Sequence, residues 1–150
     1  MKLCVLRLFS RTVQLNLPQY QPEIKQSDNK YWIKCLVRKK WLVLTPEEWV
    51  RQHFLNYLFT QKEISRNRTA VEHGLEYNGL KKRIDILCFS TLGKPEMMVE
   101  CKAPQIQLNQ KVIGQIATYN SKLMVEQLCI TNGIEHYWFQ LQDGRYVTLK

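Results

Sequence analysis

Acidic residues are scarce in this chain. Thirteen Asp and Glu stand against 22 Lys and Arg, a formal net charge of +9 over 150 residues, with a pI of about 9.4. That imbalance favours polyanionic partners, because Lys and Arg attract DNA or RNA without reading its sequence. The same charge also serves solubility. Five cysteines give an odd count, and no Cys-x-x-Cys pair occurs. Cys88, Cys101 and Cys129 lie inside apolar, strand-like runs, which argues against disulfides and zinc and for buried thiols in a reducing compartment. No apolar run is long enough to cross a membrane. The start, Met1 to Phe9, is apolar but short, and Arg7 and Arg11 interrupt it, which argues against a signal peptide. A cytoplasmic protein is expected. His53, His73 and His136 lack ligand spacing and read as structural. The phosphate-binding pattern Gly-x-x-x-x-Gly-Lys-[Ser/Thr] is missing, so no nucleotide cofactor is expected. Nothing supports Ser/His/Asp hydrolysis, and there are no repeats or low-complexity tails.

What the chain does have is a hydrophobic share of 45%, enough at this length for one globular domain over 1–150 with a core of its own. Residues 1–13 read as an extra strand or a loose arm. Residues 14–30, rich in Gln, Asn and Pro, read as extended and mostly irregular. Short strands are expected at Tyr31 to Val37 and Trp41 to Leu44, with Arg38-Lys39-Lys40 as a basic turn between them. Together these make 1–44 an N-terminal extension to a core over 45–142. Thr45-Pro46-Glu47-Glu48 opens a helix: Thr45 as N-cap, Pro46 in the first turn, Glu48 closing a capping box. Strands follow at Ala70 to Tyr77, Lys81 to Phe89 and Glu96 to Ala103, with Asn78-Gly79 and Leu92 to Pro95 as turns. A second helix spans about Asn109 to Met124. Strands at Leu128 to Thr131, Glu135 to Leu141 and Tyr146 to Leu149 complete the chain. A crossover helix makes the strands on either side of it parallel. The fold class is α/β, a central mixed sheet flanked by helices.

Two strands carry charges where a packed strand should be neutral: Arg83-Ile84-Asp85-Ile86-Leu87 and Val99-Glu100-Cys101-Lys102-Ala103. A charge in low dielectric is costly unless paired or bound to a metal. Residues two apart share a strand face, so Glu100 and Lys102 lie together and Cys101 points away. A hairpin pairing brings Asp85 to them. Two carboxylates and an ammonium at one spot suit a Mg²⁺ ion and an activated water.

Asp85, then roughly a dozen residues, then Glu100-x-Lys102 resembles the PD-(D/E)XK nuclease superfamily. Gln115-Ile-Ala-Thr-Tyr119-Asn120 is similar to a Gln-x-x-x-Tyr element on the next helix of one branch. Leu42 to Gln52 and Ile130 to His136 are similar to the N-terminal nuclease domain of type I restriction enzyme R subunits. The likeness covers about residues 14 to 142, and it implies a restriction-endonuclease-like αβββαβ core. The superfamily's Pro before the Asp is Ile84 here, and it supplies no ligand.

The resemblance implies an endodeoxyribonuclease using Mg²⁺ or Mn²⁺, with Asp85, Glu100 and the Cys101 backbone carbonyl as metal ligands. Lys102 then stabilises charge at the scissile phosphate. Glu48 either reaches the metal from the first helix or only caps it, with Glu47 a weaker candidate. Gln115 and Tyr119, four apart on one helix face, either serve the site or pack on the sheet. Asn120 either caps the helix end or contacts DNA. Arg51, Lys82 and Arg83 are candidate phosphate contacts, and Arg51 can instead pair with Glu47 or Glu48. Glu72 either approaches the site, if its strand face is right, or takes an exposed sheet position. Expected partners are DNA and either other restriction subunits or a second copy. The rival class is a DNA-binding or assembly module that keeps the nuclease fold without turnover.

Overall fold

The computed structural model describes residues 14–149; the expected N-terminal strand or arm over 1–13 lies outside them. Among the described residues, nine strands build a three-stranded sheet and a six-stranded sheet, and two α-helices pack on them. The small sheet is antiparallel: β1 (Ile24–Ser27), β2 (Lys30–Lys34) and β3 (Trp41–Val43). β1 falls in the segment expected to be irregular. Asp28 and Asn29, at φ 52° and 59°, supply the two left-handed positions of a tight hairpin that Asn and Asp tolerate. Its partner strand therefore starts at Lys30 and ends by Lys34, short of the expected Val37.

Helix α1 (Pro46–Thr60) begins as expected, with Thr45 Oγ1 accepting from the Glu48 N–H at 3.0 Å. Only half of the capping box forms, because the Glu48 carboxylate turns to Gln52 and Arg51 instead. A short 3₁₀ turn, Arg66–Arg68, leads into the large sheet. That sheet follows chain order: β4 (Thr69–Tyr77), β5 (Leu80–Phe89), β6 (Pro95–Cys101), β7 (Gln127–Thr131), β8 (His136–Gln142) and β9 (Arg145–Thr148). Every neighbouring pair is antiparallel except β6 and β7, which α2 (Gln110–Ser121) joins as a parallel crossover. This is a mixed α/β, restriction-endonuclease-like fold. Among the described residues no helix is long and apolar enough to cross a membrane.

Helix α1 is sandwiched. One side sends Val50, Phe54, Leu55 and Leu58 into a core with Val71, Ile86 and Val99 of the large sheet. The other side sends Trp49 against Ile33 and Leu44 of the small sheet. Each fully buried Phe or Leu here contributes about 1.5–3 kcal/mol. With sheets on two sides, the helix buries polar residues as well: Glu48, Arg51, Gln52 and His53 are all below 9% exposed. Helix α2 covers the opposite face of the large sheet through a second core of Ile113, Leu123, Ile84, Leu87 and Leu128.

Strands β4 and β5 turn over together. Val71 and Ile86 belong to the α1-side core. Leu75 and Ile84 pack into the α2-side core. Residues two apart on a regular strand share a face, so alternation breaks between 71 and 73 and between 84 and 86. The flanking pairs Val71↔Ile86 and His73↔Ile84 keep register, which sets Glu72 opposite Asp85. Glu72 is left-handed at φ 49°, a conformation costing a non-glycine residue roughly 1–2 kcal/mol. Such strain persists where the surroundings impose it, often at functional sites.

The four described cysteines, Cys35, Cys88, Cys101 and Cys129, are free and buried, as expected for structural thiols. Burial pushes the Cys88 thiol up to about 11 and raises those of Cys101 and Cys129 well above the ordinary thiol value. His53 bonds the Trp49 carbonyl, and His136 links Thr131 to the Asn16 carbonyl, both structural as expected.

Candidate functional site

The break at Asp85 turns its carboxylate toward the end of β6. Asp85 Oδ2 accepts the N–H of Cys101 at 2.8 Å, the residue between Glu100 and Lys102. Lys102 lies just past the strand, with its amine 3.8 Å from Glu100 Oε1. The acids and the lysine named from the sequence thus gather around Cys101.

Two cations flank this group. Arg51, on the buried side of α1, holds Asp85 Oδ1 at 3.1 Å and Glu48 Oε2 at 2.6 Å. Glu47 and Glu72 both lie at 3.5 Å from the same guanidinium. Its side chain is only 5% exposed, so Arg51 faces carboxylates and not a phosphate backbone. Burial works against its charge, but Glu48 and Asp85 outweigh it and hold the guanidinium protonated. Its buried Nε has no partner among the described residues. Lys82, the second cation, was also expected at phosphate. Its amine instead bonds Glu100 Oε2 at 3.0 Å and Asn120 Oδ1 at 2.7 Å, joining β5, β6 and α2. Asn120 is 1% exposed and completes its bonding to the Ile116 carbonyl, so it neither caps the helix end nor reaches solvent.

For Glu72 the structure decides between the exposed sheet position and the site. The left-handed turn takes it off the open sheet surface and under three guanidinia: Arg38 at 2.9 Å, Arg83 at 3.3 Å and Arg51 at 3.5 Å. Burial alone would raise its carboxyl, but Arg51, Arg83 and Arg38 pull it below its ordinary value. No feature of the sequence near Glu72 announced this position. The two helix acids differ in the opposite way. Burial raises the Glu48 carboxyl, although Arg51 and Gln52 bond both of its oxygens. Glu47 is half exposed, and burial followed by repulsion from Asp85 raises it, against attraction from Arg51 and Lys102. Glu47 therefore shares the electrostatic field of Asp85, Lys102 and Glu100, while Glu48 is committed to packing α1.

Gln115 is exposed on the outer side of α2, and among the described residues no hydrogen bond joins it to Glu100 or Lys102. Tyr119, 41% exposed, is not core. Lys82 lies 5.2 Å and Lys122 6.0 Å from its ring centre. Lys111, Gln115, Tyr119 and Lys122 line an open groove of about 510 Å³ along the helix. Arg83 keeps its side chain 68% exposed beside Glu72. Among the described residues no group of three or more His, Cys, Asp or Glu is arranged to hold a metal ion.

Residues 46–150 match the family model of the type I restriction enzyme R protein N terminus. The chain belongs to this family. Every acid and cation around Asp85 except Arg38 falls inside the matched stretch of this R-protein N-terminal domain, whereas the three-stranded sheet precedes it. No curated protein matches the chain.

Proposed function

We propose that this domain is a metal-dependent endodeoxyribonuclease of the PD-(D/E)XK type, the DNA-cleaving part of a restriction system. The observation that carries the reading is the seat of Asp85 on the N–H of Cys101, the residue between Glu100 and Lys102, within the R-protein family match. The donor set suits a hard cation. Mg²⁺ takes one or two carboxylates and keeps several waters, so Asp85, Glu100 and the Cys101 carbonyl suffice as protein ligands. A carboxylate has about four acceptor positions. Asp85 commits one lone pair to Arg51 and one to Cys101, and Glu100 commits one to Lys82, leaving others for a cation. Such an ion supplies a nucleophilic water at neutral pH and neutralises charge on the phosphate.

The chain's own groups take distinct roles. Lys102, one-third exposed, presents its ammonium to the non-bridging phosphate oxygens, where charge grows during cleavage. Arg51 positions Asp85, and Lys82 with Asn120 positions Glu100. Glu47, rather than Glu48, is the helix acid that faces the reacting centre. Arg83, Tyr119 and the cationic groove on α2 meet the DNA backbone. DNA and the other subunits of a restriction enzyme are the proposed partners.

A second reading rests on the same ion pairs. With Arg51 on Asp85 and Lys82 on Glu100, the cluster is neutralised by protein alone, as in a module that binds DNA without cutting it. Plasmid incubated with Mg²⁺ or Mn²⁺ and the purified protein separates the two. The nuclease reading expects nicking or linearisation by wild type and none by Asp85→Asn or Lys102→Ala. Equal background cleavage by all three, with DNA still shifted in a gel, favours the binding module.

A further inference from the structure

The three-stranded sheet has one face against α1 and one face open. Ile33, fully buried, points inward with Ile24, Tyr31 and Leu42 packed beside it. The register Lys25↔Trp32↔Val43 and Lys34↔Trp41 places the alternate residues on the outer face. There Lys25 and Lys30 are exposed, and Trp32, Trp41 and Lys34 are partly so. Lys25 lies 4.6 Å and Lys34 6.0 Å from the Trp41 ring centre. Trp32 is held differently. Its Nε1–H donates to the Ser27 carbonyl at 3.2 Å, which fixes the ring by its edge, and among the described residues no ring or cation lies over its face. Among the described residues the one acid pairing with these lysines is Glu23, 3.2 Å from Lys34.

We infer that this outer face is a docking surface for single-stranded DNA, with one base stacked on Trp32 and phosphates held by Lys25 and Lys30. An edge-tethered indole between lysines combines the two components of single-strand binding: an aromatic platform and a cationic track. A protein partner suits the face poorly, since lysine is depleted in protein interfaces. A duplex offers no unpaired base for the indole. The surface precedes the family match and shares with the nuclease reading only its polyanionic partner.

The test is fluorescence anisotropy of a labelled oligothymidylate titrated with the full chain in EDTA, which removes cleavage from the readout. Trp32→Leu is expected to weaken binding roughly ten-fold, a loss typical of one stacked base, and Trp32→Phe to keep most of the affinity. Lys25→Ala/Lys30→Ala is expected to make the slope of log affinity against log salt shallower by about 1.4, the value for two lost phosphate contacts on a single strand. Circular dichroism melts check that the small sheet survives each change. Unchanged affinity in Trp32→Leu with an unchanged salt slope in the double variant overturns the proposal. So does a Trp32→Phe loss as large as that of Trp32→Leu, or an equal loss on duplex DNA. Absence of plasmid cleavage by the wild type, in contrast, bears only on the nuclease reading.

Discussion

Replacing Arg51 by Met is the sharpest perturbation of the buried charge network. The Arg51 side chain is 5% exposed and the Glu48 side chain 9%, with 2.6 Å between them. Met fills much of the same apolar volume but leaves Glu48 as an uncompensated carboxylate inside the α1 sandwich. Breaking a buried pair from one side costs about 3–5 kcal/mol, chiefly because the remaining charge is stranded. In a domain of this size, about 2–4 °C accompanies each kcal/mol, so the melting temperature should fall by roughly 6–20 °C. Urea unfolding followed by circular dichroism measures the loss. The stranded charge, not lost packing, is the asserted cause, and Arg51→Met/Glu48→Gln checks this. Removing the orphaned charge should recover more than half of the loss, a coupling of about 2 kcal/mol. A single-variant loss below about 1 kcal/mol, or an unimproved double variant, refutes the reasoning.

Lys102→Ala should abolish cleavage while moving stability by less than about 0.5 kcal/mol, because a partly exposed amine with one contact at 3.8 Å holds little of the fold; paired plasmid assays and thermal melts check both halves. Glu48 provides a pH signature. Its folded carboxyl titrates above the ordinary 4.5, so the folded state takes up a proton first, and wild type should gain stability relative to Glu48→Gln as pH falls from neutral toward 4.5. Melts of both proteins across that window test the sign, and a relative loss contradicts it. Glu72, with a lowered folded carboxyl, behaves oppositely: its contribution is present above 4.5 and is lost as pH falls through the lower folded value, so wild type should lose its advantage over Glu72→Gln there. Gly133→Ala should destabilise by about 2 kcal/mol or more in urea unfolding. Gly133 has φ +85°, and an added Cβ would lie 2.7 Å from a Leu15 methyl.

Local patterns made most of the fold legible. Thr45-Pro46 marked the start of α1, Asn78-Gly79 the first large hairpin, and apolar runs the strands β5, β6 and β7. Strand β1 stayed hidden because Ile24 is the apolar anchor of a segment otherwise rich in Gln, Asn and Pro, and its pairing is made by the Asp28-Asn29 turn. Strand period put Glu100 with Lys102 and hairpin order brought Asp85 near them, but the break in alternation that turns Asp85 to the Cys101 N–H was not legible. Nor was what surrounds them. Arg51 is buried because two sheets close on α1, a tertiary fact that helix periodicity does not contain. Glu72 comes under three arginines because a single left-handed residue inverts two strands. From the sequence Lys82 is a candidate phosphate contact, because its partners, Glu100 and Asn120, are 18 and 38 residues away.

The central claim is tested most directly by crystals soaked in MnCl₂ and measured at the manganese absorption edge. The account predicts one anomalous peak about 2.1 Å from carboxylate oxygens of both Asp85 and Glu100 and from the Cys101 carbonyl, absent in Asp85→Asn. No peak there at saturating Mn²⁺, with Arg51 still on Asp85 and Lys82 still on Glu100, would contradict it.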